Sequence, residues 1–442
     1  MSARTAVDRF QELVRIPTIS RLDESEVEWE HFDNFVATLE RLYPHTHATL
    51  TREFVAGHSL LFRWAGRYDT EPAVLMAHYD VVAATDDGWT HPPFAAELTG
   101  TGDDQVIWGR GTLDDKGSLV AIMEAVEAQV EAGYQPTHDI YLSIGHNEET
   151  VGTGAAAIVD VLDSRGIRPG LVLDEGGAVA DDAFPGVSRP LAVVGVAEKG
   201  ATLVRLIVEQ QGGHASTPPR LSATARLARA ITRLNSSPFP ARFNSATLAM
   251  FETLAPHATG TVGRALRSIA VTKPLLMRVF ARSDETRAMT QTTQAVTMLS
   301  AGHAANALPE RAEAMVNLRV AVDSSVEKAL AHVTRAIRDK AVTIELVQPG
   351  EPSPISPTSG QAWDTIAATV GTTHPEAIVT PYVQNGATDS RHFTSISSAV
   401  YRFTPFEMTK AELAGLHAID ESIRVDAYLR GIAFYRALLT TA

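Results

Sequence analysis

The sequence of 442 residues contains no cysteine and no long apolar run. Without cysteine no disulfide bond forms, and any zinc ion has to be held by histidine and carboxylate side chains. A membrane-spanning helix needs about 20 consecutive apolar residues, which no stretch of this chain approaches. The first residues, Met1 to Phe10, also lack the apolar segment of a signal peptide. We therefore expect a cytoplasmic protein that does not span a membrane.

Positive charge is also scarce, because 38 Lys and Arg residues face 52 Asp and Glu residues and the net charge is -14 at pH 7. Nucleic acids and anionic membranes bind proteins through basic faces, so we expect neither as a partner. The net charge does not exclude anionic small substrates, because local fields differ from the net charge. A hydrophobic content of 45% and a charged content of 20% are typical of a soluble globular enzyme.

The pattern along the chain predicts two domains, which the length also favours. Strand-like apolar runs alternate with helical stretches through about residue 195, which predicts an α/β fold with a mostly parallel sheet and helices on both faces. From about residue 198 an order of strand, helix, strands, helix and strand predicts a separate α+β domain. The apolar segment Asn235 to Arg287 resists assignment, and Pro349 to Pro357 is predicted to be a connector. We place one domain at 1–197 and 322–442 and the inserted domain at 198–321.

Short polar clusters follow apolar runs at several points, and these points belong to the first predicted domain. In an open α/β sheet, catalytic and ligand-binding groups gather at the carboxyl ends of the strands, where imidazoles and carboxylates can hold divalent metal. Each cluster alone also fits a strand end, a capped turn or a solvated loop. The clusters are His78-Tyr79-Asp80, Asp114-Asp115, Glu148-Glu149, Asp174-Glu175 and His417.

Three of these clusters suggest a division of labour. His78 and Asp80 lie on one face of an extended chain, so we predict His78 as a ligand that Asp80 orients. Of Glu148 and Glu149, one can bind metal while the other acts as a general base. His214, in Gly212-Gly213-His214-Ala215-Ser216, is either a structural histidine of a glycine-rich turn or a hydrogen-bond donor to the oxyanion. Serine-hydrolase, P-loop and H-E-x-x-H motifs do not occur.

Taken in order, the segments resemble the co-catalytic di-zinc metallopeptidases of the aminoacylase, carboxypeptidase G and Gly-Xaa carboxypeptidase family. Ser390-Arg391-His392-Phe393 and the apolar stretch near residues 240–285 are most similar to the Gly-Xaa carboxypeptidase and N-acyl-amino-acid hydrolase branch. The segments that carry the resemblance are His78-Tyr79-Asp80, Gly109 to Gly117, His146 to Glu149, Leu173 to Glu175, Gly213 to Ser216, Asn306 to Pro309 and His417.

The resemblance implies a role for each residue. One metal ion would be held by His78, Asp114 and Asp174, and the second by Asp114, Glu149 and His417, with Asp114 bridging them. The metal is expected to be zinc, with cobalt or manganese as alternatives. The remaining implied roles are Glu148 as general base, Asp80 as the residue that orients His78, His214 as an oxyanion donor that often acts across a dimer, Asn306, Arg319 and Gly386 as contacts of the substrate carboxylate, and a cis peptide bond between Asp114 and Asp115.

The function that the resemblance implies is metal-dependent hydrolysis of an amide bond in small peptides or N-acyl amino acids with a free carboxylate. A carboxypeptidase, a dipeptidase and an aminoacylase are not separated by the sequence. The inserted domain would be a lid or dimerisation domain, so we expect a homodimer. The alternative from another class is a relative that binds metal or peptide without catalysis, although neither Glu148 nor any expected ligand is missing.

Overall fold

The computed structural model describes residues 3–441, so residues 1, 2 and 442, which we assigned to the first domain, lie outside it. The helices are α1 (Ala3–Val14), α2 (Trp29–Leu42), α3 (Pro44–Thr49), α4 (Lys116–Glu131), α5 (Thr153–Ser164), α6 (Ala223–Asn235), α7 (Ser245–Leu254), α8 (Gly260–Arg267), α9 (Ile269–Phe280), α10 (Asp284–Ala288), α11 (Val326–Ile337), α12 (Gln361–Thr373), α13 (Lys410–Gly415) and α14 (Val425–Thr441). The strands are β1 (Thr51–Val55), β2 (Ser59–Trp64), β3 (Tyr68–His78), β4 (Glu97–Thr99), β5 (Val106–Trp108), β6 (His138–Gly145), β7 (Leu171–Asp174), β8 (Ala178–Ala180), β9 (Leu191–Glu198), β10 (Gly200–Glu209), β11 (Gly213–His214), β12 (Thr293–Ala301), β13 (Ala307–Leu308), β14 (Arg311–Val320), β15 (Thr343–Gln348), β16 (Ile378–Gln384), β17 (Val400–Arg402), β18 (Glu407–Met408) and β19 (Ser422–Arg424).

The larger sheet has the strand order β1-β2-β6-β3-β7-β17-β9-β8-β18, and β16 pairs with β9 outside this path. Its centre, β6-β3-β7-β17, is parallel, while β1, β2 and part of the β8–β9 region pair antiparallel. The prediction of a mostly parallel α/β sheet is therefore confirmed. The carboxyl ends of β6, β3 and β7 meet at one edge of this sheet.

Helices cover both faces of the larger sheet, as the residues of β3 show. Leu75 and Ala77 enter the core that includes α4 and α14, whereas Val74 and Met76 enter a second core with α5. Because successive side chains of a strand point to opposite faces, a strand buried on both sides is apolar throughout. Each fully buried side chain of this kind contributes about 1.5–3 kcal/mol to folding.

The smaller sheet has the antiparallel order β12-β14-β10-β15, and α6 and α11 pack on one of its faces. Both α11 and β15 lie beyond residue 321, where we placed the end of the inserted domain. β15 nevertheless pairs with β10 from Ile207 to Leu203, and α11 contributes Val333 to the core of this sheet. β15 therefore belongs to the smaller sheet, because backbone pairing joins it to β10.

The unassigned segment Asn235 to Arg287 forms α7 to α10. Helices α7, α8 and α9 make a core with Phe184, Leu191 and Ile378, of which the last two lie in β9 and β16 of the larger sheet. This part of the predicted insertion thus packs against the edge of the larger sheet. The sequence does not reveal it, because the packing partners lie far away in the chain.

Candidate dinuclear metal centre

The acidic and histidine residues of the candidate site follow three neighbouring strands. His78 is the last residue of β3, Asp174 is the last residue of β7, and Glu148 and Glu149 follow β6 by a few residues. β3 pairs with both β6 and β7, so these side chains start from adjacent strand ends. The predicted position of the site at the carboxyl edge of the sheet agrees with this arrangement.

Asp114 lies between the two histidines of the site. Its Oδ1 is 3.1 Å from Nε2 of His78, and its Oδ2 is 2.9 Å from Nε2 of His417. Oε2 of Glu149 is 3.0 Å from Nε2 of His417. Two groups result that share Asp114, one with His78 and Glu175 and the other with Glu149 and His417, and within each group the ligand atoms lie within 4.8 Å of one another. The bond between Asp114 and Asp115 is cis, as the resemblance implies.

Asp174 belongs to neither group, although the resemblance implies it as a ligand. Its carboxylate is buried, and Oδ2 accepts a hydrogen bond of 2.9 Å from the backbone N–H of Ser390. Glu175, the next residue, has Oε1 at 3.6 Å from Nε2 of His78. The pair Asp174-Glu175 was ambiguous in the sequence, and the structure brings Glu175 rather than Asp174 to the ligand group.

Asp80 holds the loop that carries Glu148 and Glu149. Its two carboxylate oxygens accept hydrogen bonds of 3.1 Å from the backbone N–H groups of these two residues. Oδ1 of Asp80 is also 3.3 Å from Nδ1 of His78. One fully buried carboxylate thus links the predicted base, the predicted ligand Glu149 and the ring of His78.

Two glycines flank the same loop, and both approach the carboxylate of Asp389. A methyl group on Gly145 would lie 2.9 Å from Oδ2 of Asp389, and one on Gly152 would lie 2.3 Å from Oδ1. Gly152 also has a φ of 63°, a backbone conformation that residues other than glycine rarely adopt. The loop between the glycines, which bears Glu148 and Glu149, therefore rests on the buried Asp389.

Glu421 fixes the loop that contains Asp114. Its Oε1 accepts hydrogen bonds from the backbone N–H groups of Gly111, Leu113 and Asp114, at 3.1, 2.8 and 3.3 Å. The same buried carboxylate pairs with the buried guanidinium of Arg110. Glu421 therefore sets the position of the carboxylate that both ligand groups share.

The site contains several crowded carboxylates whose negative charge positive ions would compensate. Burial, reinforced by Asp389, Asp114 and Glu149, raises the pKa of Glu148 well above its usual range. Burial and Asp114 do the same to the pKa of Glu175. Hydrogen bonds to Asp114 and Glu149 raise the pKa of His417 to about 10. Because crowded buried carboxylates are costly without compensation, and because imidazole and carboxylate are ligands for divalent cations such as zinc, the residues fit a pair of such ions.

The predicted substrate contacts lie in two separate places. Arg319, in β14, is opposite Ala201 at the start of β10, near Glu198 and Lys199. His214 pairs with Ala307 beside Asn306, beyond the other end of β10 and β14. At about 3.3 Å per residue, Arg319 is roughly 25 Å from Arg311, where β14 begins. One chain therefore does not bring Arg319 together with His214 and Asn306.

Gly386 lies in the loop between β16 and the 3₁₀ turn Asp389–Ser395. Thr388 of this loop donates its backbone N–H to Oε2 of Glu198 at 2.9 Å. The buried Glu198 also pairs with Arg402. Burial lowers the pKa of Arg319, and the carboxylate of Glu198 partly opposes this shift. Gly386 and Arg319 thus belong to the region around Glu198, while Asn306 does not.

Three residues of the site escaped the prediction as functional groups: Glu175, Asp389 and Glu421. Glu175 was visible as the neighbour of Asp174. Asp389 lies inside the segment around Gly386, and Glu421 lies four residues after His417. Asp389 and Glu421 are both acidic residues within a few positions of a motif. Only the fold shows which groups they contact.

The chain is similar to known proteins over most of its length. The model of the peptidase family M20/M25/M40 matches residues 74–441. The chain is 34% identical over 436 residues to the N-fatty-acyl-amino acid synthase/hydrolase PM20D1 of Homo sapiens, covering 97% of this chain and 86% of the relative. It is 34% identical over 423 residues to the probable carboxypeptidase S-like 2 of Dictyostelium discoideum, covering 94% and 80%. The M20 metallo-carboxypeptidase Sso-CP2 of Sulfolobus solfataricus has a similar structure, with a TM-score of 0.71 at 18% identity and coverage of 99% and 98%.

Proposed function

Because the chain belongs to the peptidase family M20/M25/M40, and thus to metal-dependent hydrolases of amide bonds, we propose the groups that perform the hydrolysis. The observation that carries the proposal is the pair of three-residue groups that share Asp114. We propose His78, Asp114 and Glu175 as ligands of one ion and Asp114, Glu149 and His417 as ligands of the other. Zinc is the proposed metal, because histidine and carboxylate are its usual ligands where cysteine is missing.

Glu148 is the proposed general base and acid. Two bound divalent ions would polarise the amide carbonyl and lower the pKa of water between them. Glu148 takes the proton of the attacking water and passes it to the nitrogen of the leaving amine. Without metal, burial and neighbouring carboxylates raise the pKa of Glu148, and two bound cations would oppose this shift, so that the carboxylate can accept the proton before it gives it back. The carboxylate of Asp80 keeps Glu148 in place by accepting a hydrogen bond from the backbone N–H of Glu148.

The proposed substrate is an amide whose amino-acid side carries a free carboxylate. The half-buried guanidinium of Arg319 has no hydrogen-bond or ion-pair partner within residues 3–441 and suits such a carboxylate. The names of the relatives, N-fatty-acyl-amino acid hydrolase and carboxypeptidase S-like, both describe this bond. We therefore favour an N-acyl amino acid or a carboxypeptidase substrate over a substrate chosen for a free amino terminus.

A homodimer is part of the proposal. β12 is an edge strand of the smaller sheet, and it exposes Val296, Met298 and Leu299 by 39%, 67% and 67%. An exposed apolar edge strand is a template for pairing with another chain. Pairing of two β12 strands would give a dimer in which His214 and Asn306 serve the site of the neighbouring chain. The cytoplasmic location remains a prediction that rests on the sequence.

Hydrolysis of N-acyl amino acids and of dipeptides, measured before and after chelation and readdition of zinc, manganese or cobalt, tests the function. We expect up to two ions per chain, loss of activity on chelation and recovery with metal. Glu148→Gln should keep the metal content but reduce turnover by roughly 10²–10⁴-fold, because it removes only the proton carrier. Activity that survives when elemental analysis finds no metal excludes this mechanism. Tight metal and peptide binding without turnover of any substrate would favour the non-catalytic alternative.

A further inference from the structure

Helix α9 has an outward face that is apolar. Val271, Leu275 and Val279 recur every four residues along it, and their exposed fractions are 82%, 57% and 48%. The opposite face carries Leu276 and Phe280, which lie in the core shared with β9 and β16. The helix is therefore anchored on one side and exposes apolar side chains on the other. We call the three exposed apolar residues, together with the exposed basic residues of the segment 253–283, the α9 surface.

The α9 surface is basic in a protein that is strongly acidic overall. Residues 253–283 contain no Asp or Glu, whereas the whole chain has a net charge of -14. Arg267 uses its guanidinium to bind the carbonyl oxygens of Ala255 and Ala258. The other basic residues of this segment are exposed, and none pairs with an acidic side chain that the structure describes: Arg264, Lys273, Arg278 and Arg282. This local charge qualifies the expectation from the net charge that anionic membranes are not partners.

A second copy of the chain, another protein or a lipid bilayer can cover such a face, and charge and contact area distinguish these three occupants. A second copy of the chain would place the same basic residues opposite one another in a two-fold interface, which repulsion disfavours. A stable protein interface buries about 800 Å² on each partner, which is more than the outward face of one short helix offers. An anionic bilayer needs no matching shape and attracts basic residues that flank exposed apolar side chains on a helix.

We propose that the α9 surface binds the anionic surface of a lipid bilayer, with Val271, Leu275 and Val279 entering the boundary between headgroups and acyl chains. The contact is peripheral, since no helix in residues 3–441 is both long and apolar enough to cross a bilayer. Lipid binding does not depend on the proposed function. It is compatible with that function, because any N-acyl amino acid with a long acyl chain would partition into the same bilayer.

Co-sedimentation with vesicles tests the proposal without any measurement of activity. The full chain should bind vesicles of phosphatidylcholine and phosphatidylglycerol at least roughly tenfold more tightly than vesicles of phosphatidylcholine alone, and added salt should weaken binding. The double variant Val271→Ser/Leu275→Ser and the double variant Arg278→Glu/Arg282→Glu should each lose about tenfold or more of this affinity.

Matched substitutions elsewhere separate the α9 surface from general effects of polarity and charge. Leu346→Ser/Val347→Ser changes two exposed apolar residues of β15, and Arg335→Glu/Lys340→Glu makes the same change of net charge on and after α11. Both controls should bind anionic vesicles like the unmodified chain. Circular dichroism and thermal unfolding establish that every variant is folded.

Several outcomes overturn the proposal. Absence of binding to anionic vesicles excludes it, as does equal binding to both vesicle types. Equal losses in the α9 variants and in their controls show that the effect is not local. A fall in molecular mass by sedimentation equilibrium in Val271→Ser/Leu275→Ser, without a change in vesicle binding, assigns the surface to contact between copies of the chain.

Discussion

At the scale of single residues, Asp174 and Glu175 show where sequence reasoning stops. His78, Asp114, Glu149 and His417 were named from the resemblance, and the structure brings the same four side chains together. Asp174 and Glu175 are adjacent acids, and the choice between them depends on which one faces His78. Asp174 ends β7 and turns its carboxylate to the backbone of Ser390, so Glu175 is left to face the imidazole.

Replacing each of these acids by its amide separates the two roles. Glu175→Gln should lower the metal content from about two ions to about one and abolish most turnover, because an amide is a weaker ligand than a carboxylate. Asp174→Asn should keep both ions, because its amide oxygen can still accept the N–H of Ser390. Elemental analysis of both purified variants measures the difference. The opposite pattern would return the ligand role to Asp174.

The buried His374 makes the stability of the native state depend on pH. It is fully buried at the end of α12, and Nδ1 is 2.9 Å from Oγ1 of Thr373. Burial, with the charge of Arg430, lowers its pKa to about 4. An unfolded histidine binds its proton near pH 6.5, so the unfolded chain binds more protons between pH 6.5 and 4. The contribution to stability is complete above pH 6.5 and is lost as pH falls to 4.

We expect this loss to reach up to about 3 kcal/mol over that interval. Urea unfolding at a series of pH values measures it. In His374→Gln the free energy of unfolding should fall less steeply with acid than in the unmodified chain. The same change at the exposed His303 is the control, and it should leave the slope as it was. Identical slopes in all three proteins would contradict the assignment to His374.

At the scale of elements, strands and helices with clear periodicity follow the sequence closely. The first helix predicted beyond residue 198 is α6, which the Ser222 hydroxyl caps, and the second is α11, which the Ser325 hydroxyl caps. The sequence did not reveal helices α7 to α10, and the reason is physical. Pro274 lies inside α9, and the outward face of this helix is apolar, so neither turn signals nor amphipathic spacing marks it.

The loop between β6 and α5 is the element on which the proposed base depends. Gly152→Ala places a methyl group against the Asp389 carboxylate and should shift the loop that bears Glu148. A displacement of about 1 Å at a reacting group can reduce turnover by roughly 10²-fold. We therefore expect kcat to fall by about that factor while KM changes little. Steady-state kinetics on the folded variant measures both quantities.

Gly166→Ala is the control for Gly152→Ala. Gly166 has a φ of 71°, close to the 63° of Gly152, but a methyl group there meets no atom within 4 Å. Both substitutions should cost about 1–2 kcal/mol of stability through the backbone alone. Only Gly152→Ala should reduce kcat. Equal kinetics in the two variants would show that contact with Asp389 does not position the loop.

At the scale of the whole molecule, the change of pattern near residue 198 was visible in the sequence, but which strands pair to make up the smaller sheet was not. The strand that closes the smaller sheet, β15, comes after α11, and its pairing with β10 is a contact over more than 130 residues that local pattern does not encode. The wide separation of Arg319 from His214 and Asn306 likewise emerges only from the register of β10 and β14. The sequence motifs had placed all three around one substrate.

This separation makes the assembly testable, since contacts needed by one substrate lie at opposite ends of one sheet. The exposed ring of His214 accepts the N–H of Ser216 at Nδ1, so in the neutral ring Nε2 carries the hydrogen and can donate to an oxyanion. In the proposed dimer His214 and Asn306 enter the partner's site, while Arg319 and Glu148 act within their own chain. Loss of an oxyanion donor costs about 2.7–4 kcal/mol, so His214→Ala should slow turnover by roughly 10²–10³-fold at constant metal content.

The inactive variants fall into two groups, with His214→Ala and Asn306→Ala in one group and Glu148→Gln and Arg319→Ala in the other. His214→Ala or Asn306→Ala, mixed with Glu148→Gln or Arg319→Ala, should recover part of the activity, because one site of each hybrid contains every group. Mixtures within a group, such as Glu148→Gln with Arg319→Ala, should stay inactive. Subunit exchange is followed by native mass spectrometry of chains that carry distinct tags. If proven hybrids of His214→Ala and Glu148→Gln stay inactive, or if the chain is monomeric at working concentration, His214 does not serve a neighbouring site.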